Sequence, residues 1–146
     1  MAIDRSGQWW TGDAPSDLDE FVTAFSAENN PARTVVHASC ASCGSDTFTI
    51  AVDEEEGCAV RTCVSCSDEQ ALLDSGEYLE DATLEGAACP CGASTFNTAV
   101  GFAFYENSDD VRWVYLALRC TRDGVLGCYA DWKIDYSPSR HLLQAV

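Results

Sequence analysis

The chain has 146 residues, which is enough for one domain or for two very small ones. Its 24 acidic residues outnumber 8 basic ones, giving a formal net charge of −16, so direct nucleic-acid binding, which needs clustered Lys and Arg, is not expected. No stretch is long and apolar enough for a transmembrane helix, and the start lacks the apolar core of an export signal, so we expect no membrane association and a cytoplasmic location.

The first predicted element is a helix that begins at Ser16 and ends at Asn29-Asn30-Pro31. Ser16 is the expected N-cap, and the carboxylates that follow it suit the positive end of the helix dipole. One apolar helical face is predicted from the positions Leu18, Phe21, Val22 and Phe25. Ahead of the helix, Trp9 and Trp10 are interpreted as cover for a small core, with an exposed anchor for a partner as the alternative.

Two cysteine pairs follow the helix. Cys40-x2-Cys43 and Cys63-x2-Cys66 are separated by nineteen residues, and the segment between them predicts a β-hairpin around an acidic turn at 53–57. Two CxxC pairs supply the four thiolates that tetrahedral zinc prefers. We therefore expect these four cysteines to bind one structural zinc. A metal-free cluster or a disulfide set is the alternative.

The residues around this first pattern have ordinary structural interpretations. Residues 34–38 predict a strand that leads into the first pair, so His37 is interpreted as a strand residue and not as a ligand. Cys58 has no motif partner and is expected to be a half-buried strand residue. Residues 71–73 are expected to add a third strand to the hairpin, and residues 77–84 to form a short helix.

A second, altered copy of the pattern lies further along the chain. The segment CGSDTF at 43–48 matches CGASTF at 91–96, and the Val-Arg dipeptide at 60–61 is echoed by Leu-Arg at 118–119. Self-similarity of this kind indicates two copies of one unit.

The sequence of the second copy allows more than one set of metal ligands. Cys89, Cys91 and Cys120 correspond to three of the first four cysteines, but the first pair is one residue short. The fourth donor is either Asp123 or Cys128, because zinc also accepts a carboxylate. This centre could bind zinc, bind it weakly, or keep its shape without metal, so one zinc is expected and a second is possible.

The second copy is also expected to hold the larger hydrophobic core. Residues 96–105 and 111–119 predict a long hairpin, and residues 125–136 predict a third strand. One apolar face of that third strand is predicted from Leu126, Cys128, Ala130, Trp132, Ile134 and Tyr136. A thiol on such a face behaves as a small apolar group.

The opposite face of the predicted third strand is charged. It carries Asp131, Lys133 and Asp135, with Arg119 expected across from them on the neighbouring strand. We interpret these side chains as cross-strand ion pairs and not as an acid–base site, because no nucleophile or histidine motif converges with them.

Residues 40–66 resemble the zinc-ribbon family closely, and residues 89–128 look like a divergent second ribbon. The whole chain is similar to uncharacterised bacterial proteins with tandem zinc ribbons, and the resemblance implies metal and fold but no particular activity. The expected fold is α+β, mostly β, with two tandem antiparallel ribbon units. The predicted divisions are an N-terminal segment and helix at 1–31, a first ribbon at 32–80 and a second at 81–146.

Together these features predict a zinc-stabilised, non-enzymatic protein-binding module with an acidic surface. It would act as an adaptor, an inhibitor or an immunity-type factor, and its protein partner could be basic. One alternative is a nucleic-acid-associated zinc-ribbon factor that uses the arginines of the second unit. Another is a thiol-redox protein that uses Cys89 and Cys91.

Overall fold

The computed structural model describes residues 3–146, so the first two residues of the predicted N-terminal segment lie outside the described residues. Within the described range the chain forms one α-helix, a few short 3₁₀ turns and eight strands, which confirms the α+β, mostly β class. These elements are α1 (Asp17–Ser26), β1 (Thr34–His37), β2 (Phe48–Asp53), β3 (Cys58–Cys63), β4 (Glu69–Ala71), β5 (Glu85–Gly86), β6 (Phe96–Phe104), β7 (Val111–Cys120) and β8 (Leu126–Lys133).

The eight strands make one antiparallel sheet. The main path runs β4-β3-β2-β6-β7-β8, while β1 pairs with β6 and β5 pairs with β2. The two predicted ribbons therefore share a sheet, with the first supplying β2–β4 and the second supplying β6–β8. The division of the chain at residues 32 and 81 into separate units stays a prediction.

The two copies meet at equivalent residues. Phe48 of β2 faces Phe96 of β6, and these residues end the matching segments CGSDTF and CGASTF. Antiparallel pairing of two equivalent residues relates the copies by a local two-fold axis through this pair. Both rings are fully buried, so the junction lies inside the main core of the molecule.

The N-terminal part of the chain packs on the second copy. Strand β1 lies in the range predicted for the first ribbon, yet it pairs with β6 over Thr34–His37 and not with the strands of the first hairpin. Helix α1 packs on one face of β6, β7 and β8. The predicted apolar face is confirmed for Leu18, Phe21 and Val22, which are buried, but Phe25 is 49% exposed.

Gly101 allows α1 to approach the sheet closely. A Cβ at this position would overlap Cγ1 of Val22, which is itself buried at 1% exposure. Only glycine leaves space for the helix at this point of β6, so this residue sets the distance between α1 and the sheet.

Ser16 lies at the predicted N-cap position, but its side chain does not cap the helix. Ser16 already has helical backbone angles and makes no side-chain capping bond. Instead, Asp17 Oδ2 accepts a hydrogen bond at 3.1 Å from the backbone N–H of Ala14. A carboxylate within the first turn therefore closes the entry to the helix, where it also suits the helix dipole.

The segment that joins the copies differs from its prediction. The third strand of the first hairpin is present but begins earlier, at Glu69–Ala71. In place of the helix predicted at 77–84, the chain makes two 3₁₀ turns, at Ser75–Glu77 and Leu79–Asp81. Cys58 is fully buried and not half-buried, because it lies in the sheet beneath this connecting segment.

A β-bulge divides the apolar face predicted for the last strand. Cys128 faces Ala117 on β7, but Ala130 faces the adjacent Leu116, which leaves Tyr129 as the extra residue. Leu126 and Cys128 therefore join the apolar cluster under α1, whereas Ala130 and the later residues join the main core on the other face. The prediction of one continuous apolar face is wrong at this bulge.

Candidate metal centres

Two tight turns at the ends of the β2–β3 hairpin form the first cysteine cluster. In the first turn, the Cys40 N–H donates to the Ser45 carbonyl and the Gly44 N–H donates back to the Cys40 carbonyl, each at 2.8 Å. In the second turn, the Ser67 N–H donates to the Cys63 carbonyl at 2.9 Å. Each turn ends at a positive φ, +78° at Gly44 and +66° at Ser67, which lets the backbone close around its two sulfurs.

The sulfurs of the first cluster have the spacing of a tetrahedral site. Cys40 Sγ lies 3.5 Å from Cys66 Sγ, and Cys43 Sγ lies 3.5 Å from Cys63 Sγ. Zinc–sulfur bonds of about 2.3 Å at tetrahedral angles require sulfur–sulfur distances of about 3.8 Å. All four sulfurs lie within 4.8 Å of one another, so the cluster could hold one metal ion after shifts of a few tenths of an ångström.

The second hairpin repeats the register of the first. Phe48 faces Cys63 in the first hairpin, and Phe96 faces Cys120 in the second. Three residues beyond Cys63 the first copy has Cys66, and three residues beyond Cys120 the second copy has Asp123. The strand register thus places Asp123 in the position of the missing fourth cysteine.

The donor atoms of the second cluster are also close. Cys91 Sγ lies 3.7 Å from Cys120 Sγ, and the Cys89 thiol donates to Asp123 Oδ1 at 3.4 Å. Around a tetrahedral zinc, a thiolate sulfur and a carboxylate oxygen lie about 3.5 Å apart. These four residues form a second group whose donor atoms all lie within 4.8 Å, and it too could hold a metal ion.

The shorter first pair of the second copy is accommodated by a tighter turn. The Gly92 N–H donates to the Cys89 carbonyl three residues back, whereas Gly44 reaches four residues back to Cys40. Gly92 keeps the positive φ, +93°, that ends the turn. One residue is therefore lost without moving the two sulfurs away from the cluster.

The remaining thiols and His37 lie outside both clusters. Cys128 packs beneath α1 with its thiol donating to the Ala130 carbonyl at 3.4 Å, and burial raises its pKa to about 12. His37 Nε2 lies 2.6 Å from Asp19 Oδ1 on α1, so the strand interpretation of His37 is confirmed. All nine cysteines fall within the described residues and are free, and no disulfide joins any two of them.

Each cluster contains a thiol whose pKa is raised, Cys66 in the first and Cys89 in the second, and the first cluster also contains one whose pKa is lowered. The backbone N–H of Cys66 points at the Cys63 sulfur and lowers the pKa of that thiol to about 6, so Cys63 is a thiolate at neutral pH. Burial raises the pKa of Cys89 to about 12, so its proton has to leave when a metal binds.

The predicted ion pairs on the last strand are not formed. Asp131 accepts a hydrogen bond from Trp113 Nε1 at 2.8 Å, and Arg119 donates to the Gly12 carbonyl and to Asn97 Oδ1. The ion pairs found among residues 3–146 involve Arg5, His37 and Arg140, and none involves these groups. The expected cross-strand pairing is wrong because a neighbouring indole and backbone carbonyl take the polar atoms.

The two echoed arginines are not equivalent. Arg61 lies two residues before Cys63, whereas Arg119 lies directly before Cys120, so the side chains point to opposite faces of the sheet. Arg61 is buried at 1% exposure with its guanidinium 4.6 Å from the centre of the Phe48 ring. Sequence reasoning missed this buried cation, since nothing in the Val-Arg dipeptide distinguishes a core arginine from a surface one.

Comparison with protein-family models, with curated proteins and with solved structures finds no match for this chain. The likeness to zinc ribbons therefore rests on the repeated cysteine pattern and on the two donor clusters. Among the described residues, no helix has the length and apolar character needed to cross a membrane.

Proposed function

We propose that both clusters bind zinc and that the ions are structural. The donor sets support this, because four thiolates are a ligand set of structural zinc and zinc also accepts a carboxylate oxygen. Cys40, Cys43, Cys63 and Cys66 supply four donors in one cluster, so a tetrahedral ion there has no position left for a substrate. When bound, each ion would hold a hairpin end closed and contribute directly to folding.

We further propose that the protein is a non-enzymatic protein-binding module. The observation that carries this proposal is the pair of large apolar side chains, Trp9 and Phe25, each 49% exposed on the side of the sheet covered by α1. Exposed aromatic groups that line one groove are typical of protein interaction surfaces. The net charge of −16 favours a basic partner, as for an adaptor, an inhibitor or an immunity-type factor.

The alternatives have less support. A nucleic-acid-associated factor would use the arginines of the second copy, and one of them, Arg119, is already bonded to Gly12 and Asn97. A thiol-redox role would use Cys89 and Cys91 as a reactive pair, but their sulfurs also lie beside Asp123 and Cys120. The four donor atoms lie within 4.8 Å of one another, an arrangement that suits a metal ion. Metal-bound thiolates are compatible with the reducing cytoplasm that we propose as the location.

Affinity capture tests this function. Zinc-loaded protein is used as bait in an extract of its own cells at low and at moderate salt, with Cys63→Ala as the zinc-deficient control. We expect one stoichiometric protein partner whose capture weakens with salt and is lost with Cys63→Ala. Retention of DNA or RNA with no protein partner would contradict the proposal.

Fast alkylation of Cys89 and Cys91 in the zinc-loaded protein would favour the redox alternative.

A further inference from the structure

An apolar groove opens between the N-terminal segment, α1 and β8. It has a volume of about 430 Å³ and is lined mainly by Trp9, Trp10, Phe25, Leu126 and Cys128. Trp9 and Phe25 are the most exposed of the large apolar side chains in the described chain. Exposing two aromatic rings beside one groove is unfavourable in water, so the groove is a candidate for occupation by another molecule.

The wall of this groove is already ordered. Successive aromatic rings contact one another from Trp10 to Phe21, Phe21 to Phe25 and Phe25 to Tyr115, with centroid distances of 5.9, 5.8 and 6.0 Å. Phe21 is 8% exposed and anchors the series in the cluster under α1. A preformed aromatic wall lowers the ordering cost of binding.

The charged groups around the groove identify the chemistry of its occupant. Near Trp10, Arg5 stacks 4.3 Å from the indole centroid while its Nη2 lies 3.1 Å from Glu20 Oε2. The chain's own arginine thus shows that an indole next to a carboxylate binds a guanidinium here.

At the β8 end, Asp131 is exposed and lies opposite Tyr115 in the strand register. Asp131 and Glu54 are the charges that act on the Cys128 thiol at the floor of the groove. No lysine or arginine is ion-paired with Asp131 within residues 3–146. Trp113 Nε1 donates a hydrogen bond to Asp131 Oδ2, but this neutral donor leaves the negative charge uncompensated. The carboxylate therefore remains available at this end of the groove for a cation supplied by the occupant.

We propose that this groove binds a segment of a partner protein that carries a bulky apolar residue flanked by Arg or Lys. The inference rests on the proposed protein-binding function and assigns its surface. The apolar residue packs between Trp9 and Phe25, and the basic residue faces Asp131. A second copy of the chain is the less favourable occupant, because two molecules of charge −16 would bring like-charged rims together.

The test uses zinc-loaded, isotope-labelled full-length protein and two synthetic probes. One probe is an amphipathic peptide of leucine and arginine, and the other has glutamate in place of arginine. We expect the basic peptide alone to bind, with NMR shifts concentrated at Trp9, Phe25 and Cys128. Phe25→Ser and Trp9→Ser should each weaken binding by about tenfold, the loss typical of one removed interface anchor.

Leu84→Ser is the matched control, because Leu84 is 38% exposed on another part of the surface. Its affinity should stay within about twofold of the parent. Equal weakening by Phe25→Ser and Leu84→Ser, or equal binding of both peptides, would overturn the proposal. A concentration-dependent dimer abolished by Phe25→Ser would overturn it in favour of a second copy.

Affinity capture separates this inference from the function on which it rests. If Phe25→Ser and Trp9→Ser still capture a protein partner as well as the parent does, the groove assignment fails and the protein-binding function stands. If the parent captures none, the function itself fails. Thermal unfolding of each variant checks that the zinc-loaded fold persists. Because two separate positions are tested, misfolding of one variant would not be mistaken for loss of the binding surface.

Discussion

Gly101→Ala tests how closely α1 packs against the sheet. The added methyl would overlap Val22 Cγ1 and would lie 3.3 Å from Ala32 Cβ, so the helix or the strand has to shift. Overpacking of a buried site costs about 1–3 kcal/mol. The lower entropy of the unfolded chain offsets roughly 0.4–1 kcal/mol of that loss. We expect a net loss of about 1–2 kcal/mol, or a Tm lower by roughly 3–6 °C for a domain of this size.

A double mutant identifies the clash as the cause. Val22→Ala alone removes two methyl groups from a side chain that is 1% exposed, and should cost about 2–3 kcal/mol. In the double mutant the new methyl fills part of that cavity, so the combined loss should fall about 1–2 kcal/mol short of the sum.

The assay is urea unfolding followed by circular dichroism at saturating zinc. Gly86→Ala is the control, because a Cβ there meets nothing within 4 Å. If Gly101→Ala is neutral, or if the two mutations add without coupling, the close approach of α1 to β6 is wrong.

Three further predictions concern the clusters and the groove. Asp123→Cys should raise the zinc affinity of the second site, because thiolate is a softer zinc ligand than carboxylate. Asp123→Ala should lower that affinity at least tenfold in chelator competition. Unchanged affinity in both variants would refute the ligand role of Asp123. Gly124→Ala should cost about 3 kcal/mol, since φ is +79° and the new Cβ would lie 2.5 Å from the Gly12 carbonyl oxygen. Gly44→Ala, with φ of +78° and open space around the new Cβ, should cost only about 1–2 kcal/mol in thermal unfolding, and equal losses would contradict the Gly12 contact. Burial raises the pKa of Cys128 to about 12, so its iodoacetamide labelling should be slow at pH 7 and should still be rising with pH above 9, whereas a plateau near pH 9 would place the thiol in solvent.

The repeated CGxxTF segment made the clusters predictable from the sequence. Because both copies keep this segment, the cysteines at its start and the phenylalanine at its end fix the hairpin register in each half. That register is what brings Asp123 beside Cys89, with 3.4 Å between sulfur and Oδ1. Sequence spacing alone left Cys128 as an alternative to Asp123. In the structure Cys128 pairs with Ala117 and lies with Leu126 under α1, on the face of the sheet opposite Cys120.

Long-range pairing was beyond sequence reasoning. The strand predicted at 34–38 forms at Thr34–His37, but nothing in Thr-Val-Val-His distinguishes β6 from β2 as its partner. The exposure of Phe25 was also hidden, since its spacing from Phe21 fits the buried helical face. Its side chain is nevertheless 49% exposed and lines the groove beside Trp9.

Native mass spectrometry of the zinc-loaded protein tests whether the chain holds two metal centres. We predict two zinc ions per chain, one fewer in Asp123→Ala, and two in the control Cys128→Ala. Two ions in the parent and one in Asp123→Ala would place the carboxylate in the second centre. A single ion in the parent, or the loss of one ion in Cys128→Ala, would contradict the account.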